Sequence, residues 1–172
     1  QEAVFEFQAR KHQRLAFLAF GDGLSMRSFG RKCGASRLPT QGAEKKVAVV
    51  LVAAGRGERA GSVSEGPKQY RQIGGRSIIA RTLDALLSHP SIGHIVVVIH
   101  PDDGDLFSQT WKGALNRISV VHGGKTRQAS TYQGLLALKE LSPKYVMIHD
   151  AVRPFVDEAL INRILDSLAK GV

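Results

Sequence analysis

Two cations and a pair of glycines give the first chemical signal. In "LVAAGRGERAGSVSEGPKQY", residues 51–70, Gly55 and Gly57 stand two apart, Arg59 follows, and Lys68 comes directly after Pro67. Glycine lets backbone N–H groups approach phosphate oxygens closely. Arginine offers a fork of donors and lysine a compact point charge, so the two suit one phosphate between them. Phosphoryl or nucleotidyl transfer needs mainly positioning and stabilisation of charge on the transferred group. Arg59 and Lys68 are therefore the candidate catalytic residues, while Arg56 and Arg71 read as solvated surface cations.

Two other stretches belong with this loop. Gly123-Gly124 leads to Arg127, and His149-Asp150 leads to Arg153. Asp150 ends the apolar run "YVMIHD". Such a carboxylate can hold Mg²⁺ beside a triphosphate, or cap the turn that follows. His149 reads as a structural residue, packing or hydrogen-bonding at the strand end. His89, His94, His100 and His122 lack metal-ligand spacing and read as edge or surface histidines.

Known glycine motifs narrow the choice. Nothing matches a Walker loop. Gly55, Gly57 and Ala60 fit the dinucleotide pattern G-x-G-x-x-[G/A]. That fold also wants an acid about 20 positions on. Residues 73–83, "IGGRSIIARTL", contain none, and the next strand closes on His100-Pro101. A nucleoside triphosphate clasp is the remaining physical reading of the loop.

The elements that must hold these residues follow from the apolar pattern. "VAVVLVAA" (47–54), "HIVVVIH" (94–100), "RISVVHGG" (117–124) and "YVMIHD" (145–150) predict strands, the valine-rich ones buried on both faces. Helical spacing predicts helices over 77–89, 126–141 and 157–170, and a short one after Pro101 with acids at its start. Strands alternating with helices mean crossover connections and a mainly parallel sheet covered on both faces. Ligands of such sheets bind beyond the carboxyl ends of the strands. All three motif segments sit there, so they are expected to converge.

The 172 residues suit one domain, and 43% apolar with 23% charged residues is an ordinary soluble composition. The single cysteine, Cys33, excludes an internal disulfide framework and fits a reducing compartment. Nine Lys or Arg and four Asp or Glu fall in residues 1–46, against fifteen and eleven in the remainder. The net charge of +9 is thus concentrated in a basic N-terminal quarter without sustained periodicity. Residues 1–46 read as a disordered or non-native extension, and 47–172 as the domain. A tail plus a phosphate-binding domain accounts for the charge better than nucleic-acid binding does. No apolar run reaches the ~18 residues of a membrane helix, and "RLAFLAF" is too short for a secretory segment.

Four motifs, "AAGRGERAG", "GPKQY", "HGGKTRQAS" and "HDAVRPF", occur in this order. Together they resemble the 2-C-methyl-D-erythritol 4-phosphate cytidylyltransferases, within the wider sugar nucleotidyltransferases. The resemblance covers residues 47–172 and is most similar to versions fused to a cyclodiphosphate synthase domain. It implies an α/β fold of nucleotide-diphospho-sugar transferase type: a Rossmann-like three-layer α/β/α sandwich, mainly parallel, truncated here at its C-terminus. It implies transfer of CMP from CTP to the 4-phosphate of methylerythritol phosphate, with release of pyrophosphate, for non-mevalonate isoprenoid synthesis. By this resemblance Arg59 and Lys68 stabilise the α-phosphate. Ala53, Ala54, Gly55 and Gly57 hold base and triphosphate. Gly124, Arg127 and Ser130 hold cytosine and ribose, and Asp150 lies near ribose and a Mg²⁺ ion. Arg153 has a structural role. A cytoplasmic homodimer without nucleic-acid or membrane partners is implied for the complete enzyme.

The sequence departs from that family in three places. Lys125 stands where an acidic residue is common, and the spacer between Arg59 and Lys68 is long. The strands that follow the "HDAxRP" helix in the family are absent. They supply the dimerisation arm and much of the methylerythritol phosphate site. The chain is accordingly expected to be a fragment that binds CTP weakly and turns over nothing measurable by itself. Two other readings compete: cytidylyl transfer to another polyol phosphate such as ribitol 5-phosphate, and a non-catalytic nucleotide-binding module. The converging basic pair argues against the second.

Overall fold

The computed structural model describes residues 47–56 and 66–170. The expectation for residues 1–46, and those for Gly57 and Arg59, fall outside the described residues. The chain runs through β1 (Val47–Ala53), a 3-10 turn (Lys68–Tyr70), β2 (Gln72–Ile73), β3 (Arg76–Ser77) and α1 (Ile78–Ser88). It continues with β4 (Ile92–Ile99), a second 3-10 turn (Pro101–Asp103), α2 (Gly104–Thr110), β5 (Ile118–His122), α3 (Arg127–Ala137), β6 (Tyr145–Asp150) and α4 (Glu158–Lys170).

The main sheet has the order β5-β4-β1-β6, and every pair in it is parallel. From β1 the chain steps outward to β4 and then β5, and next crosses back to place β6 on the far side of β1. With right-handed crossovers, that reversal puts α1 and α2 on one face and α3 on the other. The core divides accordingly. Val47, Val49, Leu51 and Ala53 pack with Ile79, Leu83, Leu86, Phe107, Trp111 and Ile161. Ala48 and Val50 face the other way, toward Val96, Val98 and Leu138. The period of two along β1 thus feeds both layers. This is the three-layer arrangement expected from the sequence, and β1 is buried because both faces are covered.

The α3 layer lies unusually close to the sheet. A Cβ built on Gly134 would sit 2.4 Å from a Val50 methyl and 2.9 Å from one of Val98. Glycine there lets the helix backbone approach β1 and β4 and so sets how far its N-terminus reaches over the strand ends.

Several boundaries differ from expectation. The helix expected over 126–141 stops at Ala137, and turns carry the chain on. The acidic segment after Pro101 splits into a 3-10 turn and a short α2. A small hairpin was not foreseen: Ile73 pairs with Arg76 across Gly74 and Gly75, whose φ values are +57° and +74°. Two consecutive positive φ angles make the turn whose twist suits a two-residue hairpin, and two glycines permit it. Its strands are two residues each, too short to leave an alternating pattern. Among the described residues, no helix is long and apolar enough to cross a membrane.

Candidate active site at the strand ends

Open parallel sheets bind ligands where the strand order reverses. Here that point lies beyond the carboxyl ends of β1 and β6. Val52 and Asp150 are register partners there, and the Ala151 N–H donates to the Val52 carbonyl at 3.0 Å. The Thr82 hydroxyl, fully buried in α1, donates to the Ala151 carbonyl at 2.9 Å and fixes the turn that follows Asp150.

One wall is the turn between β5 and α3. The Gly123 N–H donates to the Ile99 carbonyl at 2.7 Å, continuing the sheet pattern one residue past β5. A Cβ on Gly123 would lie 2.5 Å from that of Ala54, and one on Gly124 would lie 2.6 Å from that of Ala129. Both glycines are therefore required by close packing. Ser130 is buried, and its Oγ accepts from the Gly124 N–H at 3.1 Å while donating to the Thr126 carbonyl at 2.9 Å. The hydroxyl thus shapes the turn that presents Gly124. Thr126 caps α3 by accepting from the Ala129 N–H at 3.0 Å. The positive end of the α3 dipole accordingly sits at the strand ends, where an anion is favoured.

Arg127, the first residue of α3, donates to Asp150 Oδ1 at 2.9 Å. Arg153 donates to Oδ2 at 3.1 Å, and its own carbonyl accepts from His149 Nε2 at 3.0 Å. Burial raises the Asp150 pKa, but the hydrogen bonds and charges of Arg127 and Arg153 outweigh it and hold the carboxyl below its ordinary value. The structural roles expected for His149 and Arg153 match these contacts.

The opposite wall is the end of the glycine loop. Gln69 is 3% exposed, and its Nε2 donates to the Ala53 carbonyl at 2.6 Å and the Gly55 carbonyl at 3.2 Å. These bonds tie the Lys68 turn to the end of β1. Lys68 itself is exposed. The geometry therefore gathers Ala53, Ala54, Gly55, Lys68, Gly124, Arg127, Ser130 and Asp150 around one end of the sheet.

Two expectations need correction. Arg56 is not a solvated cation: it donates to Asp103 Oδ1 at 2.8 Å and Asp102 Oδ2 at 3.1 Å, and also bonds His100 Nδ1. His89 is not at the surface either, being 3% exposed, with Nε2 3.1 Å from Asn162 Oδ1. In each case the partner lies far along the chain, which spacing cannot reveal. Gln69 and Asp103 escaped sequence reasoning for the same reason. Gln69 did lie inside a recognisable motif, and an amide beside a Pro-Lys pair was the only available hint.

Among the described residues, no group of three or more His, Cys, Asp or Glu side chains could hold a metal. Mg²⁺ bound to a triphosphate needs only one or two protein carboxylates. A carboxylate held ionised at Asp150 fits an ion that arrives with the nucleotide.

Comparison with known proteins agrees with this geometry. Residues 47–172 match the family described as 2-C-methyl-D-erythritol 4-phosphate cytidylyltransferase. A bifunctional IspD/IspF enzyme from Brucella anthropi is 57% identical over 124 residues, covering 72% of this chain and 30% of that protein. The chain thus spans under a third of that relative's length. The crystal structure of 4-diphosphocytidyl-2C-methyl-D-erythritol synthase from Anaerococcus prevotii is 32% identical with a TM-score of 0.59, covering 74% of this chain and 52% of that one. The Francisella tularensis 2-C-methyl-D-erythritol 4-phosphate cytidylyltransferase is 27% identical with a TM-score of 0.58, covering 74% and 53%.

Proposed function

The chain belongs to the 2-C-methyl-D-erythritol 4-phosphate cytidylyltransferase family, and from that premise we propose that it forms the nucleotide-binding half of an enzyme that transfers CMP from CTP to methylerythritol phosphate. The observation that supports this best is the Gln69 clasp. It ties the only cation-bearing turn of the "GPKQY" motif to the end of β1, opposite the α3 N-terminus and Asp150.

The chemistry follows from that arrangement. A phosphate oxygen of the polyol phosphate attacks the α-phosphorus of CTP, the bond to the bridging oxygen breaks, and pyrophosphate leaves. Negative charge grows on the α-phosphate oxygens, and a cation fixed beside them lowers the barrier more than one that must be recruited. Lys68 supplies that charge from a turn that the Gln69 side chain already ties to the end of β1. Arg59 is its proposed counterpart. Ala53, Ala54 and Gly55 line the triphosphate side, a role proposed for Gly57 as well, and Gly124 with Arg127 the nucleoside side. Ser130 holds the Gly124 turn in shape. Asp150 would hold Mg²⁺ together with phosphate oxygens, and the ion would neutralise triphosphate charge. Homodimerisation and a cytoplasmic location belong to the same reading.

The test is pyrophosphate release by the full gene product, with CTP, Mg²⁺ and either methylerythritol phosphate or ribitol 5-phosphate. Turnover is expected with the first alone, and Lys68→Ala should lower kcat by about 10²–10³. Turnover with ribitol phosphate would change the substrate and keep the chemistry. CTP binding without turnover on either would leave a binding module and end the catalytic reading.

A further inference from the structure

Asp103 ends the 3-10 turn that follows β4 and is 2% exposed. A buried carboxylate requires partners. Arg56 provides one, with Nη1 2.8 Å from Oδ1. The guanidinium is itself steadied by Asp102 Oδ2 at 3.1 Å and by His100 Nδ1. The Asp102 N–H also approaches His100 Nδ1, at 3.2 Å. Every one of these groups but Arg56 lies on the segment directly after β4.

Arg56 opens the segment that leads from Gly55 to Lys68. Tyr70 closes the turn that Lys68 begins, and that turn packs against both α1 and α2. The Tyr70 hydroxyl and Asp103 Oδ2 are both buried, and neither has a hydrogen-bond partner among the described residues. Burial raises the Tyr70 pKa, the Asp103 charge raises it further, and Arg56 opposes both, so the three groups sense one another.

A buried ion pair is weak evidence for stability, because desolvation offsets most of the attraction. Its more reliable consequence is that both partners are confined to one geometry. We propose that Asp103 anchors the start of the glycine loop by gripping Arg56, the residue next to the Gly55 carbonyl that Gln69 bonds from the Lys68 turn, and is thereby a positioning residue for Lys68. This inference rests on the nucleotidyl-transfer reading only for its effect on rate. The anchoring itself stands on the contacts.

Two measurements test it. In the full gene product, Asp103→Asn keeps the shape and removes the charge. It should lower kcat at saturating CTP by about tenfold to a hundredfold, the size expected for a misplaced catalytic group. A positioning effect acts through Lys68, so the same substitution in a Lys68→Ala background should change kcat little. An equal loss in both backgrounds would make Asp103 a general structural residue and overturn the proposal. The second measurement is amide exchange in the same protein. The Tyr70 and Arg71 amides, which bond to Pro67 and Lys68 carbonyls, should exchange about tenfold faster in Asp103→Asn, while that of Ser130 stays unchanged. Unaltered exchange at Tyr70 and Arg71 overturns the anchor whether or not the enzyme turns over. Absent turnover in the unsubstituted protein counts only against the functional reading. Should Asp103→Asn fail to fold, Arg56→Gln replaces it in both measurements, since Arg56 is the more exposed partner, and Arg56→Lys should restore part of the loss.

Discussion

The two walls of the site are built in different ways. The wall proposed to hold the nucleoside, from Gly123 to Ser130, is shaped largely from within, Ser130 bonding Gly124 and Thr126 and Thr126 bonding Ala129, while Gly123 and Arg127 join it to Ile99 and Asp150. The phosphate wall is held from a distance. Gln69 reaches back 16 residues to Ala53, and Arg56 reaches forward 47 to Asp103. A locally bonded turn can form as soon as its helix does. A wall fastened at long range exists only after the sheet has assembled, and loosening one fastener leaves the sheet intact. Lys68, the proposed catalytic cation, therefore stands on the part of the site most easily displaced without unfolding.

Substitutions on the two sides can break or sharpen that contrast. The largest effect is expected from Gln69→Ala. It removes both bonds that hold the Lys68 turn and leaves the Gly55 and Ala53 carbonyls short of a donor. A loss of about 1–3 kcal/mol of stability follows from the unsatisfied groups, visible as a lower denaturant midpoint. Pyrophosphate release should fall further than that loss alone explains, since Lys68 is released as well. Ser130→Ala comes next. It forfeits bonds inside one turn, at about 1 kcal/mol, and should raise KM for CTP while sparing kcat. If Ser130→Ala reduced kcat as much as Gln69→Ala does, the division into a nucleoside wall and a phosphate wall would be wrong.

The smallest effect concerns Asp150. Its carboxyl is lowered in the fold because Arg127 and Arg153 more than compensate for burial. A lowered pKa contributes stability that is complete above the unfolded value, about 4, and disappears as pH falls through the folded one. Denaturant titrations of the native protein and Asp150→Asn should therefore differ by a constant amount from pH 7 down to about 5. The two curves should converge below pH 4. Partial exposure of all three partners keeps the difference small. A gap that persisted at the lowest pH would mean that shape, and not charge, joins α3 to β6.

Much of the nucleoside wall was legible in the sequence, because its determinants lie within one motif. Gly123-Gly124, Thr126 and Ser130 stand within eight residues of one another. The phosphate wall was legible only in part. "GPKQY" pointed to Lys68, yet the role of Gln69 required knowing that the turn returns to β1. Arg56 looked solvated because nothing near it in sequence is acidic except Glu58. Its partners stand after β4, and only strand pairing brings them alongside.

The sequence by itself determined that four apolar strands alternate with helices and that each motif follows directly on its strand. Chain direction in a parallel sheet then forces every motif to the same end, so convergence needed no tertiary knowledge. The order β5-β4-β1-β6 was decided by the packed structure, because valine-rich strands buried on both faces are nearly interchangeable in pattern. So was the pairing of Arg56 with Asp103, and with it the hold on Lys68's loop. Local pattern specifies which face a residue takes; which distant residue it meets depends on the sheet closing around it.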